Sequence, residues 1–285
     1  MRVVAAVDWS DPAFNAVQAL TQLYTPKELA LVHAVDLRPF EYPLLSPPIA
    51  KQAYGEFRGA MLDAGRQLLD QTAALVPPEV ASVRRLCEIG APAAVVLDAA
   101  RAAAADLVVV GARGRGRVAE LVLGSVSHRV LMHAICPTLV VKSSLDKPRR
   151  VLIAVEGPED GARIQGWLLA HPFNRPVDVS VMSVVPTQRF GEPASVLAFE
   201  RWRGAAVASA QEVVNGVAAG LSGAHFTAAG RVMSGDPASV VAREAEGCDL
   251  LVVGSHGRRG VDRFLLGSVS HSIVHRAART VLVVR

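Results

Sequence analysis

Aromatic residues make up only 5% of this 285-residue chain, and cysteine occurs three times, at Cys87, Cys136 and Cys248. Three scattered thiols without metal-ligand spacing argue against a disulfide framework and against a cysteine-rich zinc site. They suit reduced, structural thiols in a cytoplasm. Long apolar runs are also missing: the stretch nearest to one, Ala93–Ala112, is broken by Asp98, Arg101 and Asp106, so no membrane span is expected. The chain enters a strand pattern at Arg2 with no cationic leader or cleavage site, so no signal peptide is expected. Charge of one sign is scarce in excess, because the formal net charge is +4, which neither demands nor excludes an acidic partner. No lysine–serine/threonine pair follows a glycine run as in a P-loop, and no serine sits in a G-x-S-x-G elbow. P-loop ATPase chemistry and nucleophilic catalysis therefore lack their usual signatures.

What is present is a globular composition, 51% hydrophobic, long enough for two ordinary domains. An internal repeat decides for two. Gly111-Ala112-Arg113-Gly114 is followed after nine residues by Gly124-Ser125, and Gly254-Ser255-His256-Gly257 after nine residues by Gly267-Ser268. Each set follows an acid-led apolar run, Asp106–Val110 and Asp249–Val253, that reads as a buried parallel strand. Each precedes an amphipathic helix whose apolar positions match: Val126, Val130, Leu131 and Ala134 against Val269, Ile273, Val274 and Ala277. Such a strand, glycine loop and helix suggest anion binding. Glycines let backbone N–H groups approach a phosphate, and a serine opening a helix adds a hydroxyl at the positive end of the helix dipole.

Taken in order, Val3–Val7 ending at Asp8 reads as a first strand, with Ser10 as N-cap and Pro12 in the early turn of a helix to about Leu23. Leu29–Val35 is a second strand, followed by a proline-rich loop from Arg38 to Pro48 that should hold no regular structure. A long helix to about Val76, a strand over Val80–Ile89, a helix through Ala93–Ala105, the Asp106–Val110 strand and a last strand at Leu139–Val141 complete the first half. The polar segment 143–149 reads as a linker between domains 1–142 and 150–285. The order then restarts, with Arg150–Glu156 echoing Arg2–Asp8; the stretch from Arg175 to Trp202 is legible only as a strand plus a variable loop. Alternating strands and helices predict parallel sheets covered on both faces, with ligands beyond the carboxyl ends of the strands.

The glycine loop has competing readings. Gly114-Arg-Gly116-Arg-Val-Ala119 mimics a dinucleotide fingerprint but lacks the acidic ribose partner about twenty residues on. Glycines that merely permit tight turns account for one loop but poorly for two of identical spacing. The whole pattern, Gly-x-x-Gly, nine residues, Gly-Ser after a strand ending in Leu-Val-Val-Val, resembles the ATP-binding branch of the universal stress protein family, in its tandem form.

That resemblance covers nearly the whole chain. It implies an α/β fold of two repeated Rossmann-like, adenine nucleotide alpha hydrolase-like domains, each with a five-stranded parallel sheet in the order 3-2-1-4-5 and helices on both faces. It implies ATP as ligand, with Mg2+ or Mn2+ as an optional bridge between phosphates; the sequence itself supplies no dedicated metal cage and marks no catalytic residue. In the first half Asp8 would contact the adenosine, the backbone of Ala34 the adenine edge, Gly111, Arg113 and Gly114 the ribose and phosphate path, and Gly124, Ser125 and Val126 the outer phosphates. The counterparts are Glu156, Val184, Gly254, His256, Gly257, Gly267, Ser268 and Val269. Glu156 departs from the family's usual Asp, and Trp9 follows Asp8 where a small residue is commoner. The resemblance also implies that the halves pack as an intramolecular pseudo-dimer through their last strands, with a further homodimer open. The arginines beside the loops, Arg113, Arg115, Arg117, Arg258, Arg259 and Arg263, are either solvated charges or phosphate contacts.

His271 and His275 stand at i and i+4, a spacing that can ligate zinc, but with no glutamate or third ligand as in H-E-x-x-H they read as surface histidines. His128 and His271 occupy matching first-turn positions, open to a phosphate contact but better suited to a solvent-facing role. The leading function is a cytoplasmic, ATP-binding stress-response regulator acting through nucleotide-dependent conformation or binding of an unidentified protein partner, with no membrane and no specific nucleic acid involved. The alternatives are a slow ATP-hydrolysing or nucleotide-transferring enzyme of the same fold group, although S-G-G-x-D-S and H-x-G-H are missing, and a nucleotide-free scaffold, although both loops are intact.

Overall fold

The computed structural model describes residues 1–40, 48–112, 123–187, 193–255 and 266–285. It divides into two units, Met1–Thr21 with Thr25–Ser144, and Gln22–Tyr24 with Leu145–Arg285. The first holds strands β1 (Arg2–Ala6), β2 (Glu28–Val35), β3 (Val83–Ile89), β4 (Leu107–Gly111) and β5 (Thr138–Val141), with helices α1 (Asp11–Leu23), α2 (Pro48–Ala73), α3 (Pro92–Ala102) and α4 (Ser125–His133). The second holds β6 (Arg150–Ala154), β7 (Val177–Val185), β8 (Phe226–Ser234), β9 (Leu250–Gly254) and β10 (Thr280–Val284), with α5 (Pro158–Ala170), α6 (Pro193–Leu221), α7 (Pro237–Ala245) and α8 (Ser268–Arg276).

All pairings within a unit are parallel. In the first, β3 pairs with β2, β2 with β1, β1 with β4, and β4 with β5. In the second, β8 pairs with β7, β7 with β6, β6 with β9, and β9 with β10. Each sheet thus runs 3-2-1-4-5 in its own strand numbering. Every residue of β4 and β9 is buried, as a strand covered on both faces requires, and this explains the unbroken Leu-Val-Val-Val and Leu-Leu-Val-Val runs. The five residues of β10 are buried as well. Around these strands the core is almost wholly aliphatic, with Leu29, Leu31, Leu107, Leu139 and Leu152 out of contact with water.

Several sequence expectations shift. The strand expected from Val80 starts at Val83, because residues 77–82 form turns after α2. A short 3-10 turn, Arg38–Phe40, opens the segment expected to be wholly irregular; proline at its second residue suits the fixed φ of a tight helical turn. The Ser10 hydroxyl, expected to cap α1, instead donates to Asp8. Helix α6 begins at Pro193, inside the stretch expected to be a variable loop, since proline is well tolerated in a first turn. Helix α3 stops at Ala102, three residues before expectation. There the chain makes a Schellman-type ending: Ala105 N–H donates to Ala100 and Ala104 N–H to Arg101, with Ala104 at φ 43°. Cys87, Cys136 and Cys248 form no disulfide among the described residues. Among the described residues, no helix is long and apolar enough to cross a membrane.

Candidate functional site

At the carboxyl end of the first unit's sheet, β1 stops before β2 does. Their register ends at Ala6 opposite Val32, and Val7 N–H donates to Val32 O at 2.8 Å. His33, Ala34 and Val35 run on with register partners only on β3, which leaves the backbone beside Ala34 clear of the β1 ladder. The second unit repeats this step: β6 ends with Ala154 opposite Met182, and Val184 runs on opposite Met233 of β8. The His33 ring, a residue that the sequence did not single out, holds the end of β1 by a 2.8 Å bond between Nδ1 and Val7 O. The second unit has buried Ser183 in the corresponding place.

Asp8 is half-buried just past β1. Its Oδ1 accepts the Ser10 N–H at 3.0 Å and the Ser10 hydroxyl, so the carboxylate is fixed by its own turn. Glu156, its counterpart, is exposed, and Pro158 stands where Ser10 would be. There the Glu156 N–H donates at 3.2 Å to Asp160. Asp160 is 6% exposed and is paired with Arg163 at 2.9 Å. Burial pushes its carboxyl above the ordinary range, partly offset by the Glu156 N–H and Arg163.

The strand-ending glycines bring the helix starts close. A β-carbon on Gly111 would lie 2.7 Å from the Pro12 carbonyl carbon and oxygen, and one on Gly254 would overlap the Asp160 carboxylate. Only a bare Cα allows either approach. Beyond them the chain returns to open α4 and α8. Gly124 N–H donates to Ala112 O at 2.8 Å, and Gly267 N–H to Ser255 O at 2.7 Å. Both glycines are the N-caps of their helices, in extended conformation (φ −63°, ψ 154° and φ −60°, ψ 149°), and no side-chain bond caps either end. Ser125 and Ser268 are exposed beside them, Val126 is half-buried and Val269 is exposed. Buried Ser127, two residues beyond Ser125, donates to Gly111 O at 2.5 Å and locks α4 to the end of β4.

The first unit therefore brings Asp8, Ala34, Gly111, Gly124, Ser125 and Val126 to the carboxyl ends of β1, β2 and β4. The second does the same with Glu156, Val184, Gly254, Gly267, Ser268 and Val269. Arg113, Gly114, His256 and Gly257, with the loop arginines, lie outside the described residues. Among the residues that the sequence reading missed, Asp160 and Ser127 had weak signals. Asp160 looks like an ordinary first-turn helix acid, and Ser127 like one more small polar residue. His128, His271 and His275 are half-buried, where the sequence reading expected solvent-facing side chains.

Comparison with known proteins adds a lineage. A model of the Universal stress protein family matches residues 1–142 and 147–285. The universal stress protein Rv2623 of Mycobacterium tuberculosis is 31% identical over 237 residues, covering 78% of this chain and 77% of that protein. The universal stress protein Rv2005c of the same organism is 27% identical over 281 residues, covering 90% of this chain and 87% of that protein. Among solved structures, a universal stress protein from Archaeoglobus fulgidus superposes with a TM-score of 0.66 at 17% identity, covering 100% of this chain and 98% of that one. That likeness speaks for the fold alone.

Proposed function

The chain belongs to the universal stress protein family, with two such domains in tandem, and from that premise we propose that it is an ATP-binding regulator of the stress response. One observation supports this above others. In both units a helix N-terminus with no side-chain cap is tied back to the end of a buried strand. Its first-turn N–H groups and dipole suit a polyphosphate. The Gly124, Ser125 and Val126 backbone would hold the outer phosphates, and Gly111 the path to the ribose. Asp8 would meet the adenosine, and the strand edge at Ala34 the base. The residues of the second unit would act correspondingly. Bound ATP supplies negative charge and a purine edge, which these donors and edges complement. No group of carboxylates gathers at the helix starts among the described residues, so Mg2+ or Mn2+ would be held chiefly by phosphate and water.

Binding rather than turnover is the expected output. The sequence holds no nucleophile elbow and no P-loop lysine, and positioning alone lacks the charge-stabilising groups of dedicated ATPases. Nucleotide would act by favouring one conformation or one protein partner over another. The test is calorimetric titration of the full chain with ATP, beside the Gly124→Val, Gly267→Val double variant. Both glycines have extended dihedral angles that valine accepts, so the fold should persist while the branched side chains block the phosphates. Binding by the double variant equal to that of the parent would defeat the assignment, and turnover near 1 per second, ordinary for an enzyme, would defeat the regulatory reading.

A further inference from the structure

Helix α8 carries a second chemistry beyond its N-terminal glycine and serine. His271 and His275 are one turn apart and share a face, as i and i+4 positions must. Their ring centroids are 4.4 Å apart with the planes 44° from parallel. Both side chains are half-buried, and each presents a ring nitrogen within 4.8 Å of the other's. Two imidazole nitrogens on one tetrahedral Zn2+, each about 2.0–2.1 Å from the metal, stand roughly 3.3 Å apart. A modest rotation of either ring closes that difference.

The pair belongs to the second unit. Helices α4 and α8 both begin Ser-Val-Ser-His, but Met132 stands on α4 where α8 has His275. Arg276, next to His275 in the chain, is itself engaged by the Ser239 hydroxyl at 2.8 Å and by Asp236 at 3.8 Å.

We infer that His271 and His275 form a binding site for a nitrogen-preferring divalent transition-metal ion, of the class Ni2+, Cu2+ or Zn2+. Two imidazoles from one helical face supply two ligands, and water or a further donor completes the shell. Imidazole suits these ions, whereas Mg2+ and Ca2+ demand oxygen. The pair shares no residue with the proposed phosphate contacts at Gly267, Ser268 and Val269.

The experiment uses the full chain, stripped with a chelator and then titrated with NiCl2 and ZnCl2 by calorimetry. The parent should bind one ion, and more weakly in acid, because a protonated imidazole cannot ligate. His271→Gln and His275→Gln should each lower affinity at least about tenfold, since each removes one of two imidazole ligands. His225→Gln, on an exposed histidine elsewhere in the unit, should bind as the parent does. A saturating ion should raise the thermal midpoint of the parent but not of the double variant. Equal affinity in parent and double variant would overturn the site, as would an equal loss in His225→Gln. If the glutamine variants fail to fold, the Co2+-loaded parent decides by its visible d–d spectrum: nitrogen-ligand bands support the site, and the spectrum of aqueous Co2+ overturns it.

Discussion

The carboxylate of Asp160 rests on the bare Cα of Gly254, at the end of β9 where the second glycine loop begins. In the first unit the equivalent glycine, Gly111, meets the backbone of Pro12 instead. One repeated device, a helix start seated on a strand-ending glycine, is thus built once from main chain and once from a buried acid. The two differ in what can yield.

Alanine at Gly111 has nowhere to go, because the atoms in its way are the Pro12 carbonyl carbon and oxygen and the Ala13 nitrogen. Gly111→Ala should cost about 1–3 kcal/mol, the usual range for overpacking. The three atoms nearest an alanine β-carbon at Gly254 all belong to the Asp160 side chain, so its cost should largely vanish in an Asp160→Ala background. Chemical unfolding of both single variants and the double variant measures that coupling. Strictly additive losses would show that the contact does not strain the pair.

Asp160 should also make stability depend on pH in an unusual sense. Burial raises its carboxyl in the folded protein above the unfolded value of about 3.9. Between those two values the folded state holds the more protons, so this group's contribution to stability falls as pH climbs through the window. Asp160→Asn keeps an acceptor for the Glu156 N–H and carries no proton to lose. The thermal midpoint of the variant relative to the parent should therefore rise from about pH 4 towards neutrality. A gap that stays flat or narrows over that range would contradict the burial argument.

The end of α3 offers a stabilising change. Ala104 adopts φ 43° in its Schellman-type turn, a conformation that costs an L-residue about 1–2 kcal/mol. Glycine relieves that strain but loses more backbone freedom on folding, about 0.5–1 kcal/mol. Ala104→Gly should thus gain on the order of 0.5–1 kcal/mol, read as a higher thermal midpoint. An unchanged or lower midpoint would mean that the turn tolerates alanine without strain.

Much of this fold was legible in the chain because its central strands are continuous aliphatic runs bounded by acids and glycines. The Leu107–Gly111 and Leu250–Gly254 strands repeat almost residue for residue, and their returning helices share Ser-Val-Ser-His and the apolar positions after it. The strand order came from family resemblance, since alternation of strands and helices alone fixes handedness but not sequence in the sheet. What stayed hidden was tertiary. Ser127 finds its acceptor sixteen residues back on Gly111, His33 reaches across to Val7, and Asp160 packs against the bare Cα of Gly254. Helix α6 was obscured by Gly191 and Pro193 near its start, which mimic loop composition.

The two proposed nucleotide sites should be unequal, with the first the tighter. Asp8 is held in place before any ligand arrives by the Ser10 N–H and hydroxyl, so its rotamer entropy is already spent. Glu156 is exposed, one methylene longer, and has Pro158 in place of that serine, so fixing it against adenosine costs side-chain freedom. Asp160 adds a buried carboxylate against Gly254, placing negative charge near the route proposed for the phosphates, where the first unit has the neutral Pro12. Trp9, exposed beside Asp8, has only Gly157 at the matching position of the second half, and its indole can cover an adenine ring. A misplaced or missing hydrogen bond is worth about 1 kcal/mol, several-fold in affinity. Titrating the full chain carrying Gly124→Val alone, then Gly267→Val alone, isolates one site at a time. The Gly267→Val chain should retain the tighter ATP binding, by about three- to tenfold. Asp160→Asn added to the Gly124→Val chain should narrow that difference. Equal affinities would remove the case built on Glu156 and Asp160, and tighter binding by the Gly124→Val chain would reverse it.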